Sequence, residues 1–231
     1  MVNSKEETFE NSLLCDTLKN CGKVYFLLGK IYEKEVTANL LKSLSESITF
    51  FRSKKLSDEE LEKGIELLDE YLSKQRSRGF ECAEAELAVD YANLFLGVKG
   101  LPHPSESAYK CGFIMASPCE EVLRTYQKAN LNLKEDYKEP ADHIAVELYF
   151  MANLCWKTAE NLAKNKKHEA KKCLQIMKDF LNNHLLSWIP SFTTNISNLA
   201  ITDFYRGLAI ITKRFAELNK ALTEQALKLL A

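Results

Sequence analysis

The fold of this chain is decided by Glu139-Pro140-Ala141-Asp142-His143 and the apolar run that follows it, Ile144–Met151. Proline fixes a helical φ and has no amide hydrogen to satisfy, so Pro140 suits the first turn of a helix. Glu139 and Asp142 favour the same end, where free N–H groups and the helix dipole attract negative charge. Apolar side chains then recur at helical spacing, at Ile144, Leu148, Met151, Leu154 and Cys155. We therefore predict a buried helix with Asp142 and His143 on its opening turn, at the rim of the protein.

The rest of the chain also shows helical periodicity, which predicts an all-α bundle forming a single domain over residues 1–231. Two capping boxes predict helix starts at Ser57 and Ser117, each with Glu three residues later. We expect helices to end at Gly97, at Asn130 and before Pro190. The last helix has an apolar stripe consisting of Phe204, Leu208, Ile211, Phe215, Leu218 and Leu222. A charged linker suggests a hinge near residues 131–139 that divides the bundle into two lobes.

Composition excludes several classes of protein. Of the 231 residues, 46% are hydrophobic and 27% charged, while 8 Gly and 5 Pro supply few turns for an all-β fold. A net charge of −1 gives no sign of nucleic-acid binding. The N-terminus lacks a secretory signal pattern, and no apolar run approaches the ~20 residues of a membrane helix. Seven scattered cysteines without a Cys-x-x-Cys pair indicate buried thiols of a reduced, cytoplasmic protein.

Motifs for catalysis, cofactor binding or metal binding are absent. The sequence has no phosphate-binding glycine loop, nucleophile elbow, zinc-protease motif or Glu-x-x-His pair. Asp142 and His143 are adjacent, so on a helix their side chains would point about 100° apart and would not easily hydrogen-bond to each other. The residues alone favour a packed rim histidine at His143. We expect no enzyme activity, no cofactor and no metal.

Five segments in order resemble one known family. One of them is the Glu139–His143 stretch with the helix that follows it, and another, earlier in the chain, is Tyr91–Gly97. The others are the proline loop and Glu-Ser-x-Tyr step within 102–109, the short helix within 117–126, and the His-Leu-x-x-Trp run from His184 to Phe192. Together they resemble the TorD/DmsD/NarJ family of cytoplasmic chaperones that mature molybdenum-containing oxidoreductases.

The resemblance implies a function and a set of peptide-binding residues. It implies a TorD-like chaperone that binds the twin-arginine signal peptide of a molybdoenzyme catalytic subunit. The chaperone would hold the apo form during molybdopterin insertion and delay export. We expect a monomer or homodimer that binds no nucleic acid and does not insert stably into membranes. The family's binding positions correspond here to Tyr91, Leu94, Phe95, Glu139, Pro140, Asp142 and His143.

Two features qualify this interpretation. Val98 and Lys99 stand where some family members have proline and an aromatic residue, so one wall of the expected cleft differs from theirs. Residues 81–98 contain Glu81, Glu84, Glu86 and Asp90 but no Lys or Arg, a pattern that suits a doubly basic peptide. Two alternatives remain: a helical adaptor that binds a folded partner, and a small hydrolase that uses Asp142 and His143.

Overall fold

The computed structural model describes residues 2–52, 57–96, 102–133 and 137–230, with side chains from residue 11 in the first range and not beyond residue 48 there. The α-helices are α1 (Val2–Glu33), α2 (Ala38–Arg52), α3 (Glu59–Arg78), α4 (Phe80–Phe95), α5 (Glu106–Cys111), α6 (Ser117–Lys128), α7 (Ile144–Ala163), α8 (Lys167–Phe180), α9 (Leu186–Leu199) and α10 (Asp203–Leu229). A π-helical segment, Leu181–Leu185, joins α8 to α9. Within these ranges there is no β-strand, and the predicted all-α fold is confirmed.

The chain divides into two compact units. Unit 1 contains residues 1–30, 105–187 and 218–231, and unit 2 contains residues 31–104 and 188–217. The hinge expected near 131–139 is wrong, because the described residues on both sides of this linker belong to unit 1. A charged, irregular segment indicates a loop. The boundary between two compact units depends instead on which helices pack against each other, and the charge pattern does not show this.

Unit 1 is built on α7, whose buried side chains lie on nearly every side of the helix. The rings of Tyr126, Phe150 and Phe180 form a cluster inside unit 1. The centroid of the Phe150 ring lies 4.4 Å from that of Tyr126 and 4.7 Å from that of Phe180. Helix α1 approaches α7 closely at Gly22, where a Cβ would lie 2.3 Å from the Trp156 ring. The apolar residues predicted to be buried along 144–155 are buried in unit 1.

Unit 2 packs α2, α3, α4, α9 and the first half of α10 together. Helices α3 and α10 touch at two glycines, and a Cβ on Gly207 would lie 2.7 Å from the Gly64 carbonyl oxygen. Arg214 on α10 binds the Asp58 carboxylate at the start of α3, with an Nη2–Oδ2 distance of 2.6 Å. The hydrogen bonds with Arg214 lower the pKa of Asp58.

Two helix starts differ from the predicted capping boxes. Asp58, not Ser57, caps α3, and its side chain accepts the amide of Leu61. Ala116 precedes α6 without any side-chain cap, and Ser117 is already helical. At the start of α3, both aspartate and serine suit an N-cap, so the sequence pattern could not choose between Ser57 and Asp58. The predicted stop at Asn130 is confirmed by its left-handed φ of 54°.

Pro190 does not end a helix as predicted. It lies in the first half of α9, directly after the π-helical segment, and the helix continues to Leu199. The side-chain hydroxyl of Thr194 donates to the Pro190 carbonyl oxygen at 2.8 Å. Pro190 removes one amide donor from inside α9, and the π-helical segment just before it shows that the regular hydrogen-bond spacing is already interrupted in this part of the chain.

The predicted apolar stripe of α10 is correct in its first half and wrong in its second. Phe204 and Leu208 are buried, whereas Leu218 is 36% exposed. From position 212 onwards, the buried side chains of α10 are small or polar: Thr212, Ala216, Asn219, Thr223 and Ala226. Within unit 1, the Tyr25 hydroxyl donates to Asn219 Oδ1 at 3.0 Å. The buried hydroxyl of Tyr25 needs a hydrogen-bond acceptor, so a polar residue, and not an aliphatic one, faces it on α10.

Some expectations fall outside the described residues, namely the helix end at Gly97 and the positions of Val98 and Lys99. All seven cysteines are free thiols, but Cys82 and Cys111 are exposed and not buried as expected. None of the helices in the described ranges has a stretch long and apolar enough to span a bilayer.

Candidate peptide-binding regions

The Glu139–His143 stretch forms a turn that precedes α7. The amide of His143 donates to the Pro140 carbonyl oxygen at 3.0 Å, and α7 begins at Ile144 with His143 as its N-cap. The predicted helix start at Pro140 is therefore wrong. A proline and acidic residues suit a turn as well as a first helical turn, so composition did not separate the two.

His143 caps the helix with its ring. Its Nδ1 accepts the amide of Ala145 at 3.2 Å, which places the ring proton on Nε2 in the neutral imidazole. Nε2 faces the Glu139 carboxylate at 3.9 Å. The imidazole is 5% exposed and Glu139 41% exposed, so Glu139 presents the charge of this turn to solvent.

Asp142 ties the turn to the start of α5. Its Oδ2 accepts the amide of Ser107 at 2.8 Å, and its carbonyl oxygen accepts the amide of Glu106 at 3.0 Å. Ser105 and His143 complete the contact as an isolated antiparallel bridge. The Asp142 side chain is fully buried. It therefore lies inside unit 1 and not at the rim where the sequence predicted it.

A buried ion pair lies on the other side of the same segment. Glu106 is inaccessible to solvent, and its carboxylate receives His184 Nδ1 at 3.0 Å and the Lys110 ammonium group. Burial alone would raise the pKa of Glu106, but the hydrogen bonds and charges of His184 and Lys110 outweigh it and lower the pKa. His184 is buried, and nothing in the sequence indicated its partner 78 residues away.

Three buried polar atoms next to this contact have no hydrogen-bond partner in the described part of the chain. They are Ser105 Oγ, Ser107 Oγ and Asp142 Oδ1. A buried polar atom is normally satisfied by protein or ordered water. Among the described residues, no group of His, Cys, Asp and Glu side chains is arranged to hold a metal ion.

An apolar groove of about 270 Å³ lies along the outer side of α7, in unit 1. Its walls come from the end of α6, the segment after it and the first half of α7. The lining residues are Tyr126, Leu131, Asn132, Leu133, Tyr137, Val146, Tyr149, Phe150 and Asn153. Tyr126 also donates its hydroxyl to the carbonyl oxygen of Ala141, so the groove wall is joined to the Glu139–His143 turn. The groove has no signature in the sequence, because its walls come from three separate elements.

The other predicted binding residues lie in unit 2, within an aromatic cluster. The rings of Tyr91 and Phe95 pack edge-to-face with centroids 5.0 Å apart, and Phe95 also contacts the rings of Tyr32, Phe192 and Tyr205. The Tyr91 hydroxyl donates to the Tyr32 carbonyl oxygen at 3.2 Å. Leu94 is 1% exposed and Phe95 is half-buried. Phe95 is therefore the accessible member of this predicted group.

One acidic residue assigned to a peptide-binding surface is structural. Asp90 is 1% exposed, and its carboxylate accepts the amides of Ile201 and Thr202 and the Thr202 hydroxyl. It caps the start of α10 from a distant helix. The expectation that Asp90 contributes to an acidic surface was wrong, because helical spacing turns it towards the core with Leu87 and Tyr91.

Comparison with known proteins identifies the family. The sequence pattern described as nitrate reductase delta subunit matches residues 54–194. The chain belongs to the nitrate reductase delta subunit family. Membership of this family confirms the resemblance seen in the sequence.

Individual members of the nitrate reductase delta subunit family match over almost the whole chain. Chaperone protein TorD of Vibrio atlanticus is 29% identical over 202 residues, which cover 86% of this chain and 92% of the relative. The TorD chaperones of Aliivibrio fischeri and Vibrio parahaemolyticus are 30% and 28% identical, over 86% and 87% of this chain. They correspond to 92% and 93% of those proteins.

These relatives support the prediction that the chain is not an enzyme. Asp142 and His143 each make a separate structural contact. The Asp142 carboxylate accepts the Ser107 amide, and His143 Nδ1 accepts the Ala145 amide. Neither bond is the carboxylate–imidazole contact that orients a catalytic base.

Proposed function

We propose that this chain is a cytoplasmic maturation chaperone for a molybdoenzyme catalytic subunit. It binds the subunit's twin-arginine signal peptide, assists insertion of the molybdopterin cofactor and delays export until insertion is complete. The observation that carries this proposal is the family match over residues 54–194, together with TorD relatives that align along 86% of the chain. The chaperone acts by differential binding, because it must hold an unfinished client and release a finished one.

The surface of unit 1 suits a peptide with basic and apolar parts. Glu139 offers an exposed carboxylate for an arginine. The groove along α7 offers apolar walls, and the amides of Asn132 and Asn153 can bond to an extended backbone. Acidic groups raise the association rate of a basic peptide, and salt weakens this effect.

The seven predicted binding residues divide into two roles in this proposal. In unit 1 the accessible residues Glu139 and Pro140 contact the peptide, and in unit 2 Phe95 is the accessible residue of its own cluster. The buried ones hold these contacts in place: Asp142 and His143 shape the turn, and Tyr91 and Leu94 support Phe95. A substitution at a buried position would therefore change peptide binding through the fold.

The first experiment identifies the client. The tagged chain is purified from its anaerobically grown host, and the subunits that co-purify are identified by mass spectrometry. We expect a molybdoenzyme catalytic subunit with a twin-arginine signal. In a strain that lacks this chain, the same subunit should contain less molybdenum. The proposal is overturned if no molybdoenzyme subunit co-purifies and molybdenum content is unchanged.

The second experiment tests the surface with a labelled peptide that matches the client's signal. Glu139→Lys should slow association of the peptide severalfold and make it less sensitive to salt. Glu120→Lys is the matched control, because Glu120 is a 74% exposed acid of the same unit that already pairs with Arg124. Equal association rates for both variants and the wild type would exclude Glu139 from the site.

A further inference from the structure

The π-helical segment Leu181–Leu185 interrupts the helical run from α8 to α9. Such segments are rare, and they occur mostly as single-turn interruptions of a helix, frequently at functional sites. Two carbonyl oxygens of this segment accept side-chain donors. The Lys110 ammonium group donates to the Asn183 carbonyl oxygen at 2.7 Å, and the Ser187 hydroxyl donates to that of His184. Lys110 therefore ties the π-helical segment to α5.

His184 in this segment faces the first turn of α5. Its Nδ1 lies 3.2 and 3.0 Å from the two carboxylate oxygens of Glu106, and its ring packs on Phe180 with centroids 4.8 Å apart. The Lys110 ammonium group contacts the same carboxylate. An ionised carboxylate only accepts hydrogen bonds, so His184 donates through Nδ1. The fully buried Glu106 thus joins α5 to the π-helical segment.

The first turn of α5 also holds the Glu139–His143 turn. The Glu106 amide donates to the Asp142 carbonyl oxygen at 3.0 Å, and the Ser107 amide donates to the Asp142 carboxylate at 2.8 Å. Glu106 therefore holds the turn through its backbone and the π-helical segment through its side chain. All of these residues lie in unit 1. Since the exposed Glu139 belongs to the turn, its position depends on where α5 begins.

We infer that His184 is a positioning residue for signal-peptide binding, which acts through Glu106 on the Glu139–His143 turn. The inference rests on the proposed function, which places the peptide at that turn. His184 is 7% exposed, and its role requires no contact with the peptide. Residues that contact a ligand keep their geometry only when a supporting layer of hydrogen bonds fixes them. Loss of the His184 donor should therefore loosen the turn and shorten the lifetime of the bound peptide.

Two substitutions of His184 separate its hydrogen bond from its packing. Asparagine carries its side-chain nitrogen on Cγ, as histidine carries Nδ1, so His184→Asn keeps a donor for Glu106 but loses the ring. His184→Leu keeps apolar bulk against Phe180 and has no donor. Stopped-flow fluorescence measures dissociation of the labelled signal peptide, because surface charge acts mainly on association. We expect dissociation to be about 10-fold faster for His184→Leu and to change at most about 2-fold for His184→Asn.

Hydrogen exchange of the Glu106 and Ser107 amides reports on the turn without any peptide. Both amides donate to Asp142, so their exchange should be faster in His184→Leu than in the wild type and unchanged in His184→Asn. Lys110→Met is a second variant that opens no core cavity, since the Lys110 side chain is 30% exposed. It removes the other side-chain contact of Glu106 and should speed peptide dissociation about 3-fold.

The matched control is Tyr25→Phe, which removes the hydroxyl that donates to Asn219 elsewhere in unit 1. It should lower stability and leave peptide dissociation and the exchange of the two amides unchanged.

Faster dissociation from His184→Asn than from His184→Leu would overturn the inference, because binding would then follow packing alone. If His184→Leu failed to fold, Lys110→Met would decide by the same measurement. If the wild type bound no signal peptide, the proposed function and the inference would both fail. If it bound the peptide and both His184→Leu and Lys110→Met released it at the wild-type rate, the inference alone would fail.

Discussion

Replacement of Asp142 measures how far the Glu139–His143 turn is structural. The Asp142 carboxylate is fully buried and accepts the Ser107 amide at 2.8 Å. A hydrogen bond to a charged group contributes about 1.5–3 kcal/mol, and a buried amide left without a partner costs about 1–3 kcal/mol. Since these terms overlap, Asp142→Ala should lower the free energy of unfolding by about 2–4 kcal/mol. The midpoint of thermal unfolding should fall by about 5–15 °C.

The sequence alone predicted a smaller cost for Asp142→Ala, at most about 1–2 kcal/mol, because it placed Asp142 at the rim as a helix-start residue. Two comparisons make the measurement specific. Asp142→Asn keeps an oxygen acceptor for Ser107 and should cost about 1 kcal/mol, the difference between charged and neutral bonds. Glu139→Ala removes an exposed neighbour and should change stability by about 0.5 kcal/mol or less.

Urea unfolding followed by circular dichroism measures all three variants. Asp142→Ala within about 0.5 kcal/mol of the wild type would refute the reasoning, because the Ser107 contact would then contribute nothing. An equal loss for Asp142→Asn and Asp142→Ala would also contradict it, since the oxygen acceptor that asparagine retains for the Ser107 amide would then contribute nothing.

Three further predictions concern buried contacts. Asp90→Ala should lower the free energy of unfolding by about 3–5 kcal/mol in urea, since its carboxylate accepts two amides and a hydroxyl; a loss below about 1 kcal/mol would contradict this. The pKa of Glu106 is lower in the folded state, so its stabilising contribution is complete above the unfolded pKa and is lost as pH falls through the folded pKa. Scanning calorimetry between about pH 5 and 3 should therefore show a flatter loss of stability for Glu106→Gln, and a slope equal to that of the wild type would disprove the role of the pair with His184. Gly207→Ala should cost about 1–3 kcal/mol in urea, because its Cβ would lie 2.7 Å from the Gly64 carbonyl oxygen, and a neutral result would show that the helices separate freely.

Periodicity in the sequence determined the helical class and the strongest buried face. Apolar residues spaced by three and four along 144–155 can bury one side of a helix and cannot form an alternating strand, so α7 was predictable without tertiary information. Local backbone preferences likewise placed the end of α6, because Asn130 tolerates a left-handed conformation. The family could also be recognised from the sequence, because its characteristic segments occur in the same order along the chain.

Tertiary contacts decided which polar residues are accessible. The sequence could not show that Asp142 faces Ser107, that Asp90 caps α10, or that Glu106 pairs with His184, because each contact joins residues between 35 and 112 positions apart. The polarity of a side chain indicates whether it favours contact with water. Whether water can reach that side chain depends on the helices that pack against it. Predicted binding residues such as Tyr91 and Leu94 were thus located correctly on their helix, and only packing revealed that they are buried.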